Sequence, residues 1–162
     1  MRHIISILLL NEAGALTRVS NLFSSRGYNI ESLNVAPTDD PTVSRLTMVT
    51  TGSEEVIDQI SKQLGKLVDV VNISDMTSTD HMERELLLCK VHCPHGTLLE
   101  SISDFNYRVL DDRDDHYTIE FVGGSREIDR LIERISTVGS VTAVVRSGAM
   151  AVARGAPVLK NG

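Results

Sequence analysis

The chain has 162 residues, enough for one medium domain or two small ones with a buried core. Its 22 acidic residues outnumber 16 basic ones for a net charge of -6, and aromatics make up 4%. With no Lys/Arg block and no interleaving of aromatic and basic residues, it lacks the electrostatic footprint of a nucleic-acid binder. No segment has the apolar length of a membrane span. The N-terminal apolar run stops at Asn11 and Glu12, short of a signal-peptide core. The reading is a soluble, cytoplasmic protein. Cys89 and Cys93 do not make a disulfide framework and are expected to be reduced thiols.

Residues 4–10 (IISILLL) form a β-branched apolar run too short for a typical helix and are predicted to be a buried strand. From Gly14 the period changes: Leu16, Val19, Leu22 and Phe23 fall on one helical face, and the Gly27 of "RGYN" supplies the stop. "IESLNVAP", the turn cluster "PTDDP" and "TVSRLTMVT" then read as a hairpin. Ser53 is placed to cap a second helix with Glu54 and Glu55 in its first turn and Ile57, Ile60 and Leu64 along its buried stripe. "LVDVVNIS" closes a β-α-β-β-α-β unit. Because Ile7, Leu8, Leu9 and Leu10 are consecutive apolar residues, both faces of the first strand need cover, and a partner chain or the second unit is expected to supply the second cover.

The same order then repeats. "ERELLLCKV" is a strand and "HGTLLESISDF" a helix with a Thr97/Glu100 capping box. "YRVLDDR" and "HYTIEFV" make a hairpin, "SREIDRLIERIST" a helix, and "SVTAVVRSG" a last strand. Gly14 precedes Phe23 by the same spacing as Gly96 precedes Phe105. The expected fold is therefore α+β, two tandem ferredoxin-like βαββαβ units: residues 1–76, a linker at 77–83, a second unit at 84–150, and a C-terminal tail at 151–162 with no assignable period and a mobile end.

The junction "NEAG" is the most informative local feature. A strand passing through it into a helix leaves the first-turn amides without intrahelical partners, and these favour an anion. Gly14 presents no side chain against such an approach, and Asn11 donates and accepts beside it. An amino acid would suit, with its carboxylate on the amides and its ammonium on loop carbonyls. A tight strand-to-helix turn that binds nothing has the same sequence.

The run "NEAGALTRVSNLFSSRGYNIESLNVAPTDDPTVSRLTMVT" through "KQLGKLVDV", with "ERELLLCKV" and the late "VVRSGAMAVARG", resembles the small regulatory subunit of acetolactate synthase (acetohydroxyacid synthase) over nearly the whole chain. The segment "HCPHGTLLESISDFNYRVLDDRDDHY" departs from that pattern: it is shortened and lacks the basic residues usual at the start of its helix. The resemblance implies an ACT domain in the first unit and no catalytic centre. It implies a thiamine-diphosphate-dependent catalytic subunit as partner, on which thiamine diphosphate, Mg and FAD are expected, with no cofactor on this chain. It further implies activation of that subunit and feedback inhibition by valine or a related branched-chain amino acid. In the similar proteins two ACT domains pair and the effector lies between chains. Carried over, that names Asn11, Ala13, Gly14, Ala15 and Leu16 from one chain and Asn29 and Ile30 from the other.

Rival readings are weaker. "CKVHCPH" brings Cys89, His92, Cys93 and His95 together, but on a strand the cysteines and His92 face opposite sides, and the spacing is not that of a zinc finger. No metal is expected. "DDRDDH" at 111–116 reads as a solvated acidic turn, and Gly123–Gly124 lacks the Lys of a P-loop. A stand-alone amino-acid-sensing module serving another enzyme is the alternative function.

Overall fold

The computed structural model describes residues 1–160 and divides into two units, residues 1–82 together with the segment from Ala149, and residues 83–148.

In the first unit β1 (Arg2–Leu10), β2 (Ile30–Pro37), β3 (Val43–Thr51) and β4 (Val70–Asp75) form an antiparallel sheet of order β2-β3-β1-β4. The helices α1 (Ala15–Ser24) and α2 (Glu54–Leu64) lie on one face. Strand alternation sends Ile5, Ile7 and Leu9 of β1 and Leu46 and Met48 of β3 to that face. There they meet Ala15, Val19 and Phe23 of α1 and Ile57, Ile60 and Leu64 of α2. Each such aliphatic side chain contributes roughly 1.5–3 kcal/mol by leaving water, so this layer holds the unit together. Ser53 stands at the α2 N-cap in extended conformation, but its side chain makes no capping hydrogen bond.

The other residues of β1 required a second cover, and the chain supplies it from its own C-terminus. Ile4 and Val49 pack under Met76, Ala149, Ala151 and Ala153, while Leu8 and Val43 pack under Leu159. Met150–Ala153 forms a short strand there, the Arg154 N–H donates to the Asp80 carbonyl at 2.9 Å, and Arg45 donates from Nη2 to the Ala151 carbonyl at the same distance. The expected separate tail at 151–162 is therefore corrected as far as residue 160. Alanines two residues apart lie flat on the sheet, a strand signal too short and too weakly hydrophobic to read by period. Residues 161–162 fall outside the described part. The apolar outer face of β1 accordingly gives no argument for a second chain.

In the second unit β5 (His81–His92), β6 (Tyr107–Arg113), β7 (His116–Gly123) and β8 (Ser140–Arg146) repeat the order as β6-β7-β5-β8. β5 begins inside the expected linker. Below the sheet α4 (Ser125–Ser136) buries Ile128, Leu131 and Ile135. The expected long helix before β6 is corrected to one turn, α3 (Leu98–Ser101). Thr97 makes no side-chain cap, so the predicted capping box is not formed. At α4 half of such a box is made: Glu127 Oε2 accepts the Gly124 amide at 2.9 Å, while Gly124 has no side chain to return a bond. The β6–β7 turn is closed by Asp114 and Asp115, both at positive φ (52° and 59°), as a type I′ hairpin demands.

Candidate effector site

β1 ends by handing its last amides to neighbours: Leu10 N–H donates to the Asp69 carbonyl and Asn11 N–H to that of Thr42, both at 2.8 Å. The chain then turns sharply, with Glu12 N–H on Leu10 O and Ala15 N–H on Glu12 O. Gly14 is the residue that allows helix α1 to start there, because its φ of 86° lies where a Cβ is disfavoured. The first helical hydrogen bond runs from Arg18 N–H to Gly14 O at 3.0 Å. The amides of Leu16 and Thr17 precede it and have no intrahelical acceptor.

A residue that sequence reading missed completes the junction. Arg18, one turn into α1, donates from Nε and Nη2 to the two carboxylate oxygens of Asp69 at 2.5 and 2.9 Å. Its Nη1 lies 2.8 Å from where a Cβ on Gly14 would stand. Asp69 is buried, and the Arg18 guanidinium holds its carboxyl below the usual carboxylate range against the opposing effect of burial. The helix start therefore carries two open amides, the positive end of the helix dipole and a fixed guanidinium edge. The available signal was the four-residue spacing of Gly14 and Arg18, which places them on one helical face.

The predicted residues divide by position. Asn11 and Ala13 are exposed on the loop; Asn11 donates from Nδ2 to the Pro41 carbonyl at 3.1 Å, which ties the loop to the β2–β3 turn and leaves its Oδ1 as an acceptor. Ala15 turns its methyl into the core, so it offers backbone alone, and Leu16 is half-buried against the same core. Asn29 and Ile30 are elsewhere. Ile30 pairs with Thr50, which pairs with His3, so both residues lie beside the start of β1. Eight residues of β1 separate that end from the Asn11 loop, roughly 25 Å along a strand. One chain does not bring the two groups together.

Other sequence candidates have structural positions. Cys89 and Cys93 are free thiols in the core of the second unit, with Cys93 Sγ donating to the Val138 carbonyl at 3.3 Å. His92 faces His116 across β5 and β7, ring centroids 4.6 Å apart. Among the described residues no three His, Cys, Asp or Glu are placed to hold a metal ion, and no helix is long and apolar enough to cross a membrane.

A four-stranded antiparallel sheet with two helices on one face and a glycine-opened helix start at the end of β1 defines the first unit as an ACT-type domain. Comparison with known proteins carries this further. Residues 5–72 match the family model described as an AHAS small subunit-like ACT domain, and residues 84–155 match that of the small subunit of acetolactate synthase. The chain is 44% identical to the acetolactate synthase isozyme 3 small subunit of Escherichia coli (strain K12), covering 99% of this chain and 100% of that one. It is 42% identical to the acetolactate synthase small subunit of Haemophilus influenzae, covering 96% and 97%. The crystal structure of the Thermotoga maritima acetolactate synthase small subunit superposes with a TM-score of 0.86 at 29% identity, over 96% of this chain and 99% of that one. The chain belongs to the acetolactate synthase small-subunit family.

Proposed function

We propose that this chain is the non-catalytic regulatory subunit of an acetolactate synthase. It activates a catalytic subunit that holds thiamine diphosphate, Mg and FAD, and it confers feedback inhibition by valine on the condensation of two pyruvates to 2-acetolactate and CO2. The observation that carries the reading is the α1 start, where Gly14 opens the way to the Leu16 and Thr17 amides beside the Arg18 guanidinium edge. A carboxylate is the group this arrangement favours, and the Asn11 Oδ1 suits an ammonium.

The separation of Asn29 and Ile30 from the loop supports a site shared by two chains. β2 is the outer strand of its sheet. It starts at Ile30 and ends at Pro37, next to the turn that holds Asn11. Antiparallel pairing of two β2 edges would set the start of one strand against the end of the other, and so bring Asn29 and Ile30 of one copy toward the Asn11–Leu16 loop of its partner. A ligand bridging two copies favours one arrangement of the pair, and a catalytic subunit that prefers another is then less well activated. That coupling is reciprocal. The stand-alone sensing module loses ground because both units, and not the ACT domain alone, match the family.

The test is reconstitution: acetolactate formation from pyruvate by the catalytic subunit, with and without this chain, against valine concentration. Stimulation followed by valine-dependent loss supports the reading. An unchanged rate on adding the chain refutes the regulatory role, and stimulation without valine sensitivity refutes the effector.

A further inference from the structure

The two units share a strand order but differ in the piece that joins their first two strands. Residues 11–29 make that connection in the first unit and residues 93–106 in the second, where it is five residues shorter. The helix within it falls from ten residues in α1 to four in α3. At 1.5 Å per residue, about 9 Å of helix is missing from the side of α4 that a longer α3 would cover. A cavity of about 840 Å³ opens there, bounded by α4, the end of β7 and residues 104–106.

A mere packing defect would have apolar walls. Here α4 turns Glu127, Arg130, Arg134 and Thr137 toward the space while Ile128, Leu131 and Ile135 go to the core, and Arg84 joins from β5. Several of these charges are already engaged. Glu127 caps α4. Arg134 donates to the Ser101 carbonyl at 3.0 Å and lies 3.6 Å from Asp104. Arg84 meets the carbonyl of its neighbour Glu83 at 2.8 Å, and neither it nor Arg130 forms an ion pair among the described residues. Glu133 is the remaining carboxylate on the wall. Arg84 and Arg130 thus bring two exposed guanidiniums outside any ion pair of the described residues to one concave site of ligand size, and the planar fork of a guanidinium suits carboxylate or phosphate oxygens.

We propose that this cavity in the second unit is a ligand site for a small multivalent anion, held by Arg84 and Arg130 and lying in a different unit from the α1 loop. The full-length chain is titrated by calorimetry with pyrophosphate and, separately, with citrate at fixed ionic strength; the two arms distinguish phosphate from carboxylate chemistry. At least one probe is expected to bind below about 1 mM, to shift the Asn106 amide resonance, and to lose about tenfold or more in affinity in the Arg84→Gln/Arg130→Gln double variant. Arg126→Gln, on α4 but outside the cavity wall, is expected to bind as the unsubstituted chain does. No binding of either probe below that concentration overturns the proposal. Undiminished binding by a double variant with an unaltered melting curve overturns it as well, and so does equal loss in Arg126→Gln, which would mean diffuse surface charge.

Discussion

Replacing Gly14 by Asp tests the α1 loop most directly. At φ 86° an L-residue pays about 1–2 kcal/mol, and Asp falls toward the lower end because its short side chain hydrogen-bonds locally. Its Cβ would stand 2.8 Å from Arg18 Nη1, so the guanidinium must shift by a few tenths of an ångström on its hold of Asp69 while the backbone stays in place. The expected cost to stability is about 1 kcal/mol, or about 2–4 °C in Tm for a chain of this size. Binding suffers more. The new carboxylate occupies the place where the Leu16 and Thr17 amides and the Arg18 edge converge, and it repels the carboxylate of the ligand. Losing one charge-assisted hydrogen bond of about 1.5–3 kcal/mol weakens valine binding by roughly 10–150-fold. Gly14→Ala is the companion, since it carries at least as much backbone strain without the charge. Calorimetric titration with valine and a thermal melt are run on the same samples of all three proteins. Unchanged valine affinity in Gly14→Asp would remove the ligand from this loop, and equal losses in the Ala and Asp variants would trace the effect to the backbone.

Asn29→Ala should raise the valine concentration needed for half-inhibition while leaving activation intact in valine-free buffer; loss of activation in the reconstituted enzyme would assign Asn29 to the subunit contact instead. Leu159→Ala removes the side chain that covers Leu8 and Val43 and should lower stability by about 2 kcal/mol in a denaturant melt; a change within error would mean that the C-terminal segment does not hold the outer face of the sheet. Arg146 grips both oxygens of buried Glu85 at 2.9 Å, so Arg146→Ala leaves a buried carboxylate unpaired and should destabilise by about 2 kcal/mol, less than for a fully buried pair because Arg146 is partly exposed. Acid stability follows from the same contacts. Arg18 holds Asp69, and Arg146 holds Glu85, below the usual carboxylate range, so each binds fewer protons folded than unfolded. Their stabilisation is complete above the unfolded carboxylate value of about 4 and is lost as pH falls toward the lower folded values. The Asp69→Asn/Glu85→Gln double variant should therefore show a flatter fall of Tm below pH 4, and an unchanged slope would refute the linkage.

Hydrophobic period and turn chemistry are local quantities, and what depends on them was legible in the residues. Ile5, Ile7 and Leu9 alternate, Ile57, Ile60 and Leu64 recur at helical spacing, and Gly14 stands where the period changes from strand to helix, so the two βαββαβ units and the α1 start follow from sequence alone. The ends of elements were less readable. The one-turn α3 arises because five residues are missing between β5 and β6, and a capping pattern at Thr97 does not by itself show how much chain remains to form helix. Long-range pairing was left to the tertiary structure. Nothing near Ala149, Ala151, Ala153 or Leu159 states that they fold back onto Ile4 and Leu8, because that contact is chosen by an uncovered sheet face formed about 150 residues earlier. Arg18 and Asp69 are 51 positions apart, and they meet because β4 lies beside β1 and delivers Asp69 to the start of α1. The positions of Asn29 and Ile30 illustrate the same division. Five and six residues beyond the end of α1 they look close to its start in sequence, yet the rigid helix runs back along the sheet and carries them to its opposite end.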